Sequence, residues 1–133
     1  MTKRIGINGF GRIGRCTFKQ LIDDERFEVV AINDLAEVHE LAYLLKYDSV
    51  HGWYPRKVSV AGPNLIVDEQ EIRFSNQREP SRLPWGELGV DVVIEASGAL
   101  RSRADASGHL AAGAGRVIIS APSDDVDAPW SSA

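Results

Sequence analysis

One cysteine, Cys16, stands in a chain of 133 residues. A lone thiol excludes an internal disulfide and a cysteine-built metal site, since both need several cysteines brought together. Positive charge is also scarce: 15 Lys and Arg against 19 Asp and Glu leave a formal net charge of −4. Phosphate backbones are bound through basic faces, so nucleic acid is not expected to be the main partner. No apolar run approaches the roughly 18 residues that cross a bilayer. The opening stretch "MTKRIGING" runs straight into a strand pattern, without the apolar core of a signal peptide. Together these absences make a cytoplasmic protein the expectation. What is present is ordinary for a globular domain: hydrophobic residues at 44% and charged residues at 26% suit one core of common domain size.

The apolar pattern alternates between two periods. A strand is predicted over Arg4 to Asn8, a helix over Arg12 to Asp24 with Ile13, Phe18, Leu21 and Ile22 inward, and a strand in "FEVVAIND". The unbroken Val29-Val30-Ala31-Ile32 reads as a strand covered on both faces, as in parallel sheets. A second helix follows over Glu37 to Leu45. Three short β-rich pieces come next, Lys57 to Val60, Leu65 to Val67 and Glu71 to Ser75, and a Gly62-Pro63-Asn64 turn makes the first two a hairpin. "VDVVIEASG" is another apolar strand, Arg103 to Ala112 an alanine-rich helix, and "RVIISAP" a last strand. The fold class is therefore α/β, a doubly wound parallel sheet with a small antiparallel hairpin insertion. Residues 1–122 are read as one domain and 123–133, "SDDVDAPWSSA", as an irregular tail.

Within the first turn the sequence reads "INGFGRIGR". Gly9, Gly11 and Gly14 have the spacing G-x-G-x-x-G between a predicted strand and a predicted helix, and Asp34 lies 20 positions beyond Gly14 at the end of the next strand. This is the context that turns a weak glycine motif into a dinucleotide fingerprint. Gly9 and Gly11 let backbone approach a pyrophosphate, the N–H groups of Arg12, Ile13 and Gly14 point at it from the helix N-terminus, and the Asp34 carboxylate accepts from the adenosine ribose hydroxyls.

"INGFGRIGR", "AIND", "LLKYDSVHG", "PW" and "VIISAP", in this order, resemble the N-terminal half of phosphorylating glyceraldehyde-3-phosphate dehydrogenases, from Lys3 to about Ser123. "LGVDVV" and "HLAAGA" keep the related erythrose-4-phosphate dehydrogenases open as a second reading. The resemblance implies NAD as cofactor and a Rossmann domain, with Arg12 and Ile13 on the pyrophosphate and Asp34 on the ribose. It places Arg78 near the adenine, Ser97, Gly98 and Ser120 towards the nicotinamide, and Asn8 and Asn33 beneath the crevice. Ala96 in "EASG" departs from the family's usual E-S-T-G. The family's S-C-T-T-N-C nucleophile motif is absent, so the chain is expected to bind NAD or adenosine nucleotides without turnover. Its end reads as imposed, by truncation or a shift of reading frame, with a natural short protein as the alternative. The intact family implies a homotetramer. For this chain, a strand over Arg116 to Ser120 left at an open edge predicts self-association.

The remaining candidates read as structural. Cys16 is expected to be a half-buried helix thiol. His39, His51 and His109 lack partners at motif spacing and are expected to be solvated or locally hydrogen-bonded. Asp48 is expected to fix its loop, Arg101 and Arg103 to sit at a solvated helix start, and Trp53 and Tyr54 to be exposed. The competing function class is a stand-alone nucleotide-binding or interaction module: a sensor, a decoy subunit or an RNA binder.

Overall fold

The structure, a computed structural model, describes residues 2–47, 54–97 and 103–119. Strand β1 (Lys3–Asn8) leads through the glycine turn into α1 (Arg12–Ile22), and β2 (Phe27–Asn33) leads into α2 (Val38–Tyr47). Three strands follow, β3 (Val58–Ala61), β4 (Asn64–Val67) and β5 (Gln70–Ser75), then a single 3-10 turn at Pro80–Arg82. The described chain closes with β6 (Val92–Glu95), α3 (Arg103–Ala111) and β7 (Arg116–Ile119). One sheet takes all seven strands in the order β3-β4-β5-β2-β1-β6-β7. The pairs β5–β2, β2–β1, β1–β6 and β6–β7 are parallel. This is the doubly wound architecture, with β2 and β6 leaving β1 on opposite sides.

The antiparallel portion is larger than the expected hairpin. β4 pairs with both β3 and β5, and β5 then pairs in parallel with β2, so the three strands extend the main sheet. Two tight turns make this possible. Gly62-Pro63 joins β3 to β4, while Asp68-Glu69 joins β4 to β5 with φ of 48° and 72°. Positive φ at both central residues suits the twist of a two-residue hairpin, though it strains residues other than glycine. The Asp68 side chain supplies an offset: it accepts from the Lys57 N–H at 2.9 Å and from Arg56 at 2.7 Å. Arg56 also pairs with Asp23 at the end of α1, tying that helix to the meander.

Each face of the sheet carries its own core. Ile5, Ile7, Val29, Ile32 and Ile94 pack with Phe10, Phe18 of α1, and Leu41 and Leu45 of α2. Ala31 and Val93 pack on the other face with Leu83, Trp85 and Val90 from the segment before β6. Burying each large aliphatic or aromatic side chain contributes about 1.5–3 kcal/mol. α1 matches its amphipathic reading: Phe18 is buried, and Arg12, Cys16 and Gln20 form an exposed stripe four residues apart. Cys16 is thus exposed rather than half-buried, because it falls on the face turned away from the sheet. Tyr54 is 7% exposed and joins the core, contrary to expectation. Its N–H bonds the Lys46 carbonyl, which folds the chain back over α2, and burial pushes its hydroxyl up to about 12.

An irregularity in β2 sets the level at which that strand ends. Ile5 pairs with Val29, but Gly6 pairs with Ala31, so Val30 has no opposite number in β1. Both Val30 and Ala31 consequently pack on the Trp85 face, as the two residues of a bulge do. From there the register reads Ile7 beside Ile32 and Asn8 beside Asn33.

Candidate functional site

At the carboxyl ends of the parallel strands, between β2 and β6, lies a crevice of about 430 Å³ lined by Asn8, Gly9, Gly11, Asn33, Asp34, Leu35, Gln77, Arg78, Ala96 and Ser97. Ligands of open α/β sheets bind in this place, where the strand order reverses. Of the residues expected from the sequence, all but Arg12, Ile13, Gly14, Gly98 and Ser120 line it directly, and Arg12 opens α1 beside Gly11. Gly98 and Ser120 lie outside the described residues, as do His51, Asp48, Trp53, Arg101, the Arg103 side chain and the tail.

The glycine turn is built for close approach. Gly9 has φ of 97°, and a Cβ on it would sit 2.5 Å from the Ser97 backbone. Gly14 packs still closer, its absent Cβ only 2.0 Å from the Gly9 carbonyl oxygen, which draws α1 against the turn. Around Gly11 there is nothing within 4 Å, leaving its side of the loop open to the crevice. The first helical hydrogen bond is Arg15 N–H to the Gly11 carbonyl, so the N–H groups of Arg12, Ile13 and Gly14 precede it. No side chain caps this end and no acid stands in the first turn. An uncapped helix start with its dipole facing a crevice suits an anion.

Asp34 completes the opposite wall. One carboxylate oxygen accepts from the Phe10 N–H of the glycine turn at 2.6 Å, and the other from the Ala36 N–H at 2.8 Å. The carboxylate is therefore fixed in place while each oxygen keeps a further lone pair. Arg15, buried at 7% exposure, donates to the Phe10 carbonyl at 3.0 Å and braces the turn from below. The sequence reading missed Arg15 because it took the inner face of α1 to be wholly apolar.

A larger omission lies beneath the floor. Asn33, Asn8 and Glu95 stand side by side as the last register row of β2, β1 and β6. Asn33 donates to Asn8 at 2.7 Å, Asn8 donates to Glu95 at 2.7 Å, and the far Glu95 oxygen accepts from the Ser97 hydroxyl at 2.5 Å and the Ser97 N–H at 2.9 Å. His109 is fully buried, contrary to the expectation of a solvated or local role, and its Nε2 lies 2.6 Å from Glu95. Trp85 donates its indole N–H to His109 Nδ1 at 2.9 Å. Burial alone would push the Glu95 carboxyl up, but the hydrogen bonds from His109, Asn8 and Ser97 outweigh it and hold it below the usual glutamate range. The signal was present in the sequence as a repeated phase: Ile7-Asn8, Ile32-Asn33 and Ile94-Glu95 each end a strand with an apolar residue then a polar one. This row is not a hydrolytic triad, because the imidazole touches the carboxylate and not the Ser97 hydroxyl. Among the described residues no group of three metal-ligating side chains occurs, and no helix is long and apolar enough to cross a membrane.

Residues 3–103 match the family described as glyceraldehyde 3-phosphate dehydrogenase, NAD binding domain. The chain is similar to glyceraldehyde-3-phosphate dehydrogenase of Priestia megaterium, with 53% identity over 127 residues, covering 96% of this chain and 38% of that protein. The enzyme of the same name from Geobacillus stearothermophilus is 52% identical over 127 residues, and that from Thermotoga maritima 51% over 126, each again covered over 38% of its length. The chain thus spans under two fifths of the length of these relatives. The chain belongs to the glyceraldehyde 3-phosphate dehydrogenase family as its NAD binding domain.

Proposed function

We propose that the chain binds the adenosine diphosphate half of NAD in this crevice and performs no chemistry alone. The observation that carries the reading is the start of α1, uncapped and free of acids, facing Asp34 across the crevice. In this reading the N–H groups of Arg12 and Ile13, with Gly9 and Gly11 allowing approach, hold the pyrophosphate. Asp34 accepts from the adenosine ribose, and Arg78 and Leu35 flank the adenine. Asn8 and Asn33 brace the floor, and Ser97, Gly98 and Ser120 serve the nicotinamide side. Residues 1–122 act as one cofactor domain and 123–133 as a tail. The whole protein would oxidise and phosphorylate an aldehyde with hydride transfer to NAD, as a cytoplasmic homotetramer.

The chain's only cysteine, Cys16, is exposed on α1 and does not line the crevice. It therefore places no thiol in the crevice to attack an aldehyde bound there, and the crevice has no cysteine nucleophile with which to form a covalent intermediate. The nicotinamide then contributes little to affinity. ADP-ribose is expected to bind within several-fold of NAD in a calorimetric titration, well inside the factor of ten that corresponds to about 1.4 kcal/mol. A tenfold preference for NAD, or NADH formation from glyceraldehyde 3-phosphate, NAD and phosphate, would overturn this. β7 ends the sheet among the described residues and its residues are at most half-buried. Self-association through that edge belongs to the same proposal and would show as concentration-dependent sedimentation. No observation favours the sensor, decoy or RNA-binding readings, and the three relatives from Priestia, Geobacillus and Thermotoga are all glyceraldehyde-3-phosphate dehydrogenases.

A further inference from the structure

We propose that Glu95 is a positioning residue that sets the hydrogen-bond direction of the whole crevice floor and, through Ser97, makes the end opposite Asp34 a reader of ligand hydrogen-bond donors. The inference rests on the crevice holding a dinucleotide.

The direction is dictated by what each group can do. An ionised carboxylate only accepts, and an indole N–H only donates. Because Trp85 donates to His109 Nδ1, that nitrogen carries a lone pair and the ring proton sits on Nε2, directed at Glu95. His109 is thereby fixed as a neutral donor. Asn8 must also turn its amide nitrogen to Glu95, which leaves its carbonyl for Asn33. Asn33 then spends its nitrogen on Asn8 and on the Gln77 carbonyl at 2.9 Å, and its oxygen accepts from the Gln77 N–H at 2.8 Å. One buried charge thus orients a row that reaches the loop bearing Arg78.

At the other end of the row the same charge takes the hydroxyl hydrogen of Ser97. Ser97 is exposed at the crevice wall, and with its hydrogen committed it meets a ligand only through oxygen lone pairs. Asp34 presents carboxylate lone pairs at the opposite end. Acceptors at both ends with an anion site between them match a ligand that has two hydroxyl-bearing sugars joined by a pyrophosphate. A mononucleotide diphosphate satisfies only one end.

The test compares ADP with ADP-ribose on the full chain by calorimetric titration, and the readout is the ratio of the two affinities within each variant. A general loss shared by both ligands cancels in that ratio. The unmodified chain is expected to favour ADP-ribose by about three- to tenfold, the size of one net hydrogen bond. Glu95→Gln keeps an oxygen towards Asn8 and His109 and turns an NH₂ towards Ser97, where it opposes the backbone N–H and removes the acceptor that holds the hydroxyl hydrogen. Its ratio, like that of Ser97→Ala, is expected to fall to about one. A ratio in Glu95→Gln equal to that of the unmodified chain would reduce Glu95 to a structural role and overturn the proposal. Absence of ADP binding by the unmodified chain would instead overturn the dinucleotide reading itself. Should Glu95→Gln fail to fold, the unmodified chain decides by NMR. A slowly exchanging Ser97 hydroxyl proton, retained when ADP-ribose binds, supports the assignment, and one in fast exchange with water in both states overturns it.

Discussion

Asp34→Ala is expected to weaken NAD binding by about ten- to a hundredfold and to remove most of the preference for NAD over NADP. Hydrogen bonds to a charged group contribute about 1.5–3 kcal/mol, and each 1.4 kcal/mol is a factor of ten. The same carboxylate would face the 2′-phosphate of NADP, and like charges brought close in a half-desolvated crevice repel. Leu35, the next residue, offers no cation to relieve this. Asn is not a gentle substitute here. Both carboxylate oxygens already accept a backbone N–H, from Phe10 and Ala36. An amide would set its NH₂ against one of those donors whichever way it turned, so Asp34→Asn is expected to loosen the glycine turn as well as remove the charge. Titrating both cofactors against the unmodified chain and the two variants checks the claim. Equal affinity of the unmodified chain for NAD and NADP would end it.

The largest effect on stability should come from one methyl group. Gly14→Ala places a Cβ 2.0 Å from the Gly9 carbonyl oxygen, a backbone atom that no rotamer change can move aside. Relief requires α1 to leave the turn, which disturbs Phe18 against Phe10 and the apolar face below. A loss above about 4 kcal/mol is expected, out of the 5–15 kcal/mol that a domain usually holds. Gly11→Ala provides the contrast. Its Cβ meets nothing within 4 Å, so folding should change by no more than about 1 kcal/mol, the cost of Ala at a helix cap. If the pyrophosphate lies there as proposed, that methyl would project into its space, and affinity should fall instead. Thermal unfolding and ADP titration of the two variants separate the cases. Equal melting temperatures would show that the close approach at Gly14 is not what holds the helix.

The order of elements and the crevice were readable because both rest on local pattern. Period-two and period-3.6 stretches alternate, and the turn residues between Ile7 and Arg15 sit where a strand must become a helix. Asp34 was legible by counting. The burial of Glu95 and His109 was not, since 14 residues separate them and the packing of α3 on the 3-10 turn and on β7 brings them together. Tyr54 was misjudged for a similar reason, because a backbone hydrogen bond to Lys46 decides where it goes. Strand pairing was also hidden. Nothing in Gln70–Ser75 announces that it will bond β4 on one edge and β2 on the other. The bulge at Val30 was the least visible of all, since an unbroken apolar run has no polar residue to show which side faces where.

That single unmatched residue acts as a phase shift. Between the core pairs Ile5–Val29 and Ile7–Ile32, β1 spends one residue and β2 spends two, yet both pairs end on the same face. Upstream of Val30 the two strands keep time for the core alone. Downstream they keep time for the crevice, and Asn33 falls level with Asn8 instead of one step beyond it on the reverse side. The floor of the site is therefore set by a count along the backbone: β2 takes up its extra residue at Val30, before the polar row begins, and so delivers Asn33 beside Asn8.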